Sequence, residues 1–210
     1  SNDIMRGIPH FISPAWAKDK SKFNPELYAK SWNNIGFKSV TLLTNHHDGN
    51  CLYPSKILGN KPEIDYFGEQ IKACRKYNIN VIAYYSLSLN SLIGSMHPEW
   101  LIRNVKGNFH SHDYTHWWHY HWLCINSPYR NFALSQFNEI TDNYDVHGLW
   151  LDILYLPPLN ADSDENTCFC DYCHKTYNAI YNGEHLIDAM GTDRHNLFRA
   201  VSYANFLKET

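Results

Sequence analysis

The stretch that decides the fold runs from His147 to Cys173 and reads HGLWLDILYLPPLNADSDENTCFCDYC. Its first part, His147 to Ile153, is mostly apolar and carries a single carboxylate, that of Asp152. Such a run is typical of a buried parallel strand with a charge left at its carboxyl end. In barrels and open α/β sheets, reacting groups lie at that end of the strands. A long polar loop follows, closed by a Cys-x-Cys-x-x-Cys group. The stretch therefore predicts the edge of an active site.

Strands and helices alternate along the rest of the chain. Strands are predicted at 8–13, 37–44, 80–86 and 147–153, and helices at 25–34, 64–77, 128–144, 172–181 and 193–207. This alternation favours βαβ units and a parallel sheet. A complete (β/α)8 barrel needs ~250 residues. We therefore expect residues 1–210 to form one catalytic-type domain, an incomplete TIM-type barrel that is the N-terminal part of a longer one. A smaller open α/β sheet is the alternative.

Composition narrows the class of partner. The net charge is −3 and no basic run occurs, which argues against nucleic acid. No segment is apolar enough to suggest a membrane span, and no signal peptide is visible, which leaves a bacterial cytoplasmic, periplasmic or secreted location open. Aromatic residues make up 15% of the chain, which indicates either a dense core or surfaces on which sugar rings can pack. A half barrel would leave an open sheet edge, so a homodimer is a further hypothesis.

The polar residues at the predicted strand ends suit carbohydrate chemistry. Asp152 could act as a nucleophile, as a general base or as a structural cap. Trp150 lies two residues earlier and is expected on the same side of the sheet, where a ring would exclude water and pack against a sugar. His46 and His47 directly follow another predicted strand. Neighbours on extended backbone point to opposite sides, so they fit hydrogen bonding to hydroxyls better than one shared metal ion. An ordinary polar turn is the alternative.

The cysteines predict a metal site. Cys168, Cys170 and Cys173 cannot all pair with one another, and three thiolates at this spacing plus one from elsewhere build a tetrahedral zinc site. Cys124 is the predicted fourth ligand. Four thiolates leave no open position for water, so the zinc would be structural. Disulfide bonding in an oxidising compartment is the alternative. The remaining two cysteines are expected to be buried or free.

Several of these motifs together resemble the family 29 α-L-fucosidases. They are Leu43-Thr44-Asn45-His46-His47-Asp48-Gly49, Tyr53-Pro54-Ser55-Lys56, Ala73-Cys74-Arg75-Lys76, Tyr84-Tyr85-Ser86-Leu87 and Trp150-Leu151-Asp152. The chain also resembles the hypothetical glycosyl hydrolase 6 domain of the related family 151 fucosidases, especially at 97–100 and 123–130. Cys124 with the following Asn-Ser-Pro-Tyr-Arg, and the later cysteines, are similar to the zinc cluster of family 42 β-galactosidases. The acid/base glutamate of those galactosidases has no counterpart here.

The resemblance implies a retaining glycoside hydrolase that acts on α-L-fucosides or a similar sugar and needs no cofactor for catalysis. It places no acid/base within this chain. The resemblance implies that Asp152 is the nucleophile. It implies that His10, His46 and His47 bind sugar hydroxyls. It also implies that the rings of Trp150 and of Tyr84 or Tyr85 shape the pocket.

Two other function classes stay open from the sequence. A carbohydrate-binding domain without catalysis would keep the same pocket and lack an acid/base. A metal hydrolase would use histidines of the aromatic-rich run at 110–122, for example His110, His112 and His116. That run could equally form one wall of a glycan-binding site, or it could be a surface loop whose aromatic side chains pack against one another.

Overall fold

The computed structural model describes residues 23–109, 120–154 and 168–210 of the 210-residue chain. They form an α/β fold around a small parallel sheet of order β1-β2-β3, with strands at Ser39–Leu43, Asn80–Ser86 and Gly148–Asp152. The helices, α1 to α6, span Pro25–Asn34, Tyr66–Lys76, Ser91–Met96, Tyr129–Asn143, Asp171–Ile180 and Asp193–Leu207. Short 3-10 turns lie at Pro98–Trp100 and Leu186–Ala189. The strand predicted at 8–13 lies outside the described residues.

The chain divides into two compact units. The first unit contains Ser1–His46, Asn50–Ser86 and Gln136–Asp152, and so holds the whole sheet with α1, α2 and the second half of α4. The second unit contains His47–Gly49, Leu87–Ser135 and Ile153–Thr210, and so holds α3, α5 and α6.

Side-chain caps explain where the first two helices begin. Asn24 Oδ1 accepts the Leu27 N–H at 2.9 Å, with Pro25 at the first helical position. Asp65 Oδ1 accepts the Gly68 N–H at 2.9 Å and begins α2 in the same way. The chain leaves α1 through Gly36, whose φ of +86° is a conformation that glycine adopts without strain.

Register decides which side chains share a face of the sheet. Leu43 pairs with Tyr84, and Tyr84 pairs with Trp150, so these three residues lie on one face. Part of that face is covered by a cluster of apolar and aromatic side chains, namely Leu43, Leu52, Tyr66 and Tyr84 with Phe23 and Ile64 against them. The opposite face of the sheet is buried. Its residues Val81, Ala83 and Tyr85 are buried, and the Tyr85 ring meets Phe137 of α4 edge-on at 4.8 Å.

The second unit contains a short helix, α3, that is not among the helices predicted from the sequence. The side chain of Asn90 accepts the Ile93 N–H at 2.9 Å and begins α3. At Gly94, within α3, a Cβ would stand 2.5 Å from the Cβ of His121, so only glycine allows this close approach. In the part of the chain that the structure describes, no helix has the length and apolar character that crossing a bilayer requires.

Candidate functional site

Asp152 is the last residue of β3 and contacts the neighbouring strand. Its Oδ2 accepts a hydrogen bond from the Tyr84 hydroxyl at 2.5 Å. Tyr84 is 5% exposed and Asp152 is half-buried, so the carboxylate is reachable while its hydrogen-bond donor is held in the core. A hydroxyl donated to a carboxylate is a strong, short interaction that fixes the orientation of the acid.

The surroundings of Asp152 carry two further features. Trp150 lies on the same face of the sheet, as its spacing predicts, and its side chain is 48% exposed. A large ring exposed beside a carboxylate offers a sugar an apolar surface. Ile153, directly after Asp152, has a φ of +56°, a strained conformation for a β-branched residue. Strain of this kind concentrates at functional sites.

The end of β1 is tied to β2 by side chains as well as backbone. Asn45 Oδ1 accepts the Ser86 N–H at 2.9 Å, and its Nδ2 donates to the Ser86 carbonyl at 3.4 Å. Thr44 Oγ1 donates to the Tyr84 carbonyl at 2.6 Å. These buried contacts continue the connection between the two strands two residues beyond the ladder, which ends at the pair Leu43 and Tyr84. They hold the start of the following turn, where His46 is half-buried and its N–H donates to the Asn50 carbonyl at 3.3 Å.

His47 belongs to the second unit. Its ring meets that of Tyr120 edge-on, with centroids 5.1 Å apart. Its carbonyl accepts the Ser91 N–H at 3.1 Å, and the Asp48 carbonyl accepts the Leu92 N–H at 2.9 Å. Burial, with a smaller contribution from the Asp48 charge, raises the pKa of Tyr120 to about 12. The turn therefore also supports the first residues of α3.

The structure separates the two tyrosines that the sequence left as alternatives. Tyr85 is fully buried on the opposite face of the sheet from Tyr84, and its hydroxyl donates to Gln136 Oε1 at 2.5 Å. Tyr84 is therefore the tyrosine that stands beside Asp152.

The remaining predicted histidines, His10, His110, His112 and His116, lie outside the described residues.

The four predicted metal ligands come together in the second unit. The sulfur atoms of Cys124, Cys168, Cys170 and Cys173 all lie within 4.8 Å of one another, and all four residues are buried. The sulfurs of Cys124 and Cys173 are 3.4 Å apart. Hydrogen bonds from neighbouring thiols lower the pKa of Cys170, whereas hydrogen bonds within the cluster, together with burial, raise the pKa of Cys124. Among the described residues, this is the one group of potential ligands gathered closely enough for a metal ion.

Geometry supports a tetrahedral ion in this cluster. Zinc–sulfur bonds of ~2.3 Å imply sulfur–sulfur separations of about 3.8 Å in a tetrahedral site. The separation of 3.4 Å between the Cys124 and Cys173 sulfurs is somewhat shorter than that value, and all the others are within 4.8 Å. None of the six cysteines forms a disulfide, and Cys51 and Cys74 are buried and free as predicted.

Two residues that interact with the cysteine cluster, Asn126 and Arg199, were not predicted from the sequence. Asn126 Nδ2 donates to the Cys173 sulfur at 3.4 Å and to Ser202 Oγ at 3.0 Å. The Arg199 charge interacts with Cys168 and Cys173, although burial is the larger effect and lowers the pKa of Arg199. The Asn-Ser-Pro-Tyr-Arg run after Cys124 was the sequence signal that pointed to the contact of Asn126 with Cys173. Nothing in the sequence indicated that α6 would bring Arg199 to the thiols.

A family comparison decides where the chain belongs. The model of the family described as hypothetical glycosyl hydrolase 6 matches residues 24–153, more than half of the chain. The chain belongs to this family. The matched region of the hypothetical glycosyl hydrolase 6 domain includes β1, β2 and β3 and ends directly after Asp152.

Known proteins similar to this glycosyl hydrolase domain include α-L-fucosidases. The tissue alpha-L-fucosidase of Bos taurus is 36% identical over 93 residues, which are 41% of this chain and 19% of that protein. The Homo sapiens enzyme is 34% identical over 91 residues, 40% of this chain and 18% of the enzyme. Alpha-L-fucosidase isoenzyme 2 from Paenibacillus thiaminolyticus has a similar structure, with a TM-score of 0.63 and 25% identity over 90% of this chain and 26% of that one. The chain thus spans about a fifth to a quarter of the length of these relatives.

Proposed function

We propose that this chain carries the nucleophile side of a retaining α-L-fucosidase site, with Asp152 as the nucleophile. The hydrogen bond from Tyr84 to Asp152 at the carboxyl end of a parallel strand is the observation that carries the proposal. It agrees with the fucosidase similarity of the chain.

The contacts of Asp152 suggest how the carboxylate would act. The Tyr84 hydroxyl occupies Oδ2, which leaves Oδ1 to attack the anomeric carbon while the leaving oxygen departs on the other side of that carbon. The product is a covalent fucosyl ester that water then hydrolyses. His46 and His47 would bind sugar hydroxyls, as would His10, and Trp150 would pack against the sugar ring.

We further propose that the sheet belongs to a longer (β/α)8 barrel of which residues 1–210 are the N-terminal part. Parallel strands in sequential order with connecting helices are the repeating unit of such a barrel. Further barrel strands would pair with the edges of β1 and β3. If they are instead supplied by a second copy, light scattering would give the mass of a dimer.

An activated substrate tests the nucleophile without depending on an acid/base. The substrate 2-chloro-4-nitrophenyl α-L-fucoside has a leaving group that needs little protonation, so release of the phenolate reports attack by Asp152. We expect the wild type to release at least one phenolate per chain and Asp152→Asn to release none. Asp142→Asn, an exposed position on α4, is the matched control and should keep the wild-type rate.

The two tyrosines give a second arm of the same experiment. Tyr84→Phe removes a hydrogen bond to a charged group, worth roughly 1.5–3 kcal/mol, and should slow turnover by about 10- to 100-fold. Tyr85→Phe should leave the rate unchanged, because that hydroxyl is bonded to Gln136 on the opposite face. Fucose binding without turnover by the wild type would instead favour a carbohydrate-binding domain.

We also propose that the four clustered cysteines hold a structural zinc ion. Four buried sulfur atoms around one point suit a closed tetrahedral site, with Asn126 and Arg199 compensating the thiolate charge. Bound zinc would tie the segment at Cys124 to the start of α5 and supply no catalytic group.

Metal analysis tests this second proposal. Inductively coupled plasma mass spectrometry should find one zinc ion per chain in the wild type and none in Cys170→Ser. More than one tightly held zinc ion would instead support the histidine-based metal enzyme. Purified chain that lacks zinc and contains disulfides between these cysteines would contradict the proposal.

A further inference from the structure

The first unit contains a cavity of about 600 Å³, and none of its lining residues is among those placed around Asp152. The cavity is enclosed by the loop after β1 and the second half of α4. Its lining residues are Tyr53, Pro54, Ser55, Lys56, Gly59, Asn60, Lys61, Glu139, Asn143 and Tyr144. This volume is within the range of small-molecule sites in proteins.

Glu139 fixes the shape of the cavity. One of its carboxylate oxygens accepts the Ser55 hydroxyl at 2.6 Å, and the other accepts the backbone N–H groups of Lys56 at 2.6 Å and Ile57 at 3.3 Å. Three donors on one carboxylate hold the loop rigidly against α4. They stabilise the carboxylate of Glu139, which is the only acidic residue among the described lining residues.

The described lining residues carry two positive charges and one negative charge. Lys56 and Lys61 are exposed residues of its lining, and neither ammonium group forms an ion pair with another residue of the described ranges. Two ammonium groups in the lining of one cavity, against a single carboxylate that already accepts three hydrogen bonds, attract an anionic group of a ligand.

A buried polar atom in the lining indicates what the rest of the ligand must provide. Asn60 Oδ1 is buried and has no hydrogen-bond partner among the residues that the structure describes. Asn60 itself is held in place, because its Nδ2 donates to the Cys51 carbonyl at 3.1 Å. Buried polar groups without partners cost free energy and commonly mark a position for water or a ligand hydroxyl.

We propose that this cavity binds a saccharide that carries an acidic substituent, a sulfate ester or a carboxylate. The acidic group pairs with Lys56 and Lys61, while ring hydroxyls, each able to donate and accept, reach the amides of Asn60 and Asn143. Half-buried Tyr144 adds aromatic surface to the same wall. The site is separate from the nucleophile and recognises a different part of a glycan, or a different glycan.

The test is a titration of this chain with galactose 6-sulfate, with glucuronate and with neutral galactose, followed by NMR. We expect both acidic sugars to bind and to shift the side-chain amide signals of Asn60 and Asn143. Neutral galactose should bind at least about tenfold more weakly, and added salt should weaken the acidic sugars because the pairing is electrostatic.

Lysine variants complete the test. The double variant Lys56→Gln/Lys61→Gln should weaken binding of galactose 6-sulfate by about tenfold or more. Lys38→Gln, an exposed lysine outside the cavity, should bind it as the wild type does. Asp152→Asn should also bind normally, so the result is independent of fucosidase activity. Equal binding by the double variant, equal binding of neutral galactose, or no binding of the acidic sugars at about 10 mM would overturn the proposal.

Discussion

Replacing Asn45 by leucine tests whether a side chain extends the sheet and positions the turn that begins with His46. Asn45 is 1% exposed, and Ser86 beside it is fully buried. The substitution keeps approximately the same size and removes both side-chain hydrogen bonds to the Ser86 backbone, one at 2.9 Å and one at 3.4 Å.

The two hydrogen bonds set the size of the effect. Loss of a partner for a buried backbone N–H costs about 1–3 kcal/mol, and the longer bond to the carbonyl adds a smaller amount. We therefore expect Asn45→Leu to lower the free energy of unfolding by roughly 2–4 kcal/mol. For a chain of this size, such a loss lowers the melting temperature by roughly 4–16 °C.

Equilibrium unfolding in urea measures this loss directly. The midpoint should fall while the slope with urea stays constant, because the substitution leaves the surface exposed on unfolding nearly unchanged. Asn138→Leu makes the same replacement at an exposed position of α4 and should change stability by less than about 0.5 kcal/mol. A loss below about 1 kcal/mol for Asn45→Leu would refute the reasoning, because water or the leucine packing would then have replaced both hydrogen bonds.

Three further predictions follow from buried side chains. Burial, with a smaller effect of a neighbouring arginine charge, lowers the pKa of His195 to about 4. The unfolded histidine titrates near 6.5, so stability present above about pH 6.5 is lost as the pH falls towards 4. Between pH 7 and low pH, the free energy of unfolding of His195→Phe should therefore fall by roughly 2–4 kcal/mol less than that of the wild type. Urea midpoints of both proteins at the two pH values measure this difference. Tyr85→Phe leaves Gln136 Oε1 buried without its donor and should cost about 1–2 kcal/mol in the same assay. With zinc bound, Cys170→Ser should lower the melting temperature and abolish its decrease on chelation, whereas Cys74→Ser, a buried cysteine outside the cluster, should retain the chelator response.

Periodicity and capping were sufficient to predict most of the described helices and strands. The strand predicted at 80–86 and the helix predicted at 193–207 are confirmed at both ends. The helix after Asn24 is also confirmed, because an asparagine cap followed by proline is a local signal that packing does not override. The three parallel strands confirm the parallel sheet, while closure into a barrel stays a proposal.

The missed helix shows where such reasoning fails. Six residues, Ser91–Met96, are too few for a hydrophobic repeat to be visible. Their fold depends on the Asn90 cap and on the bare backbone of Gly94 beside His121, a contact between segments distant in sequence.

The candidate site was predictable wherever one strand determines the geometry. Spacing alone placed Trp150 and Asp152 on the same face, and the register confirms it. The choice between Tyr84 and Tyr85 required the neighbouring strand, because adjacent residues point to opposite faces and the sequence does not say which face carries Asp152. The Glu139 contact with Ser55 and the cavity beside it are formed by segments that are distant in the sequence, so no local pattern predicted them.

The arrangement of the cysteine cluster has a consequence for how the protein matures in the cell. The ribosome delivers Cys124 before α4 and β3, and the other three thiols only afterwards, at the start of α5. If the cluster holds zinc, the nascent chain can complete the sheet while the ion still lacks three of its four ligands. Metal loading is then a late event in biosynthesis, and a ribosome stalled between β3 and α5 would leave a chain that has its strands and cannot retain the ion.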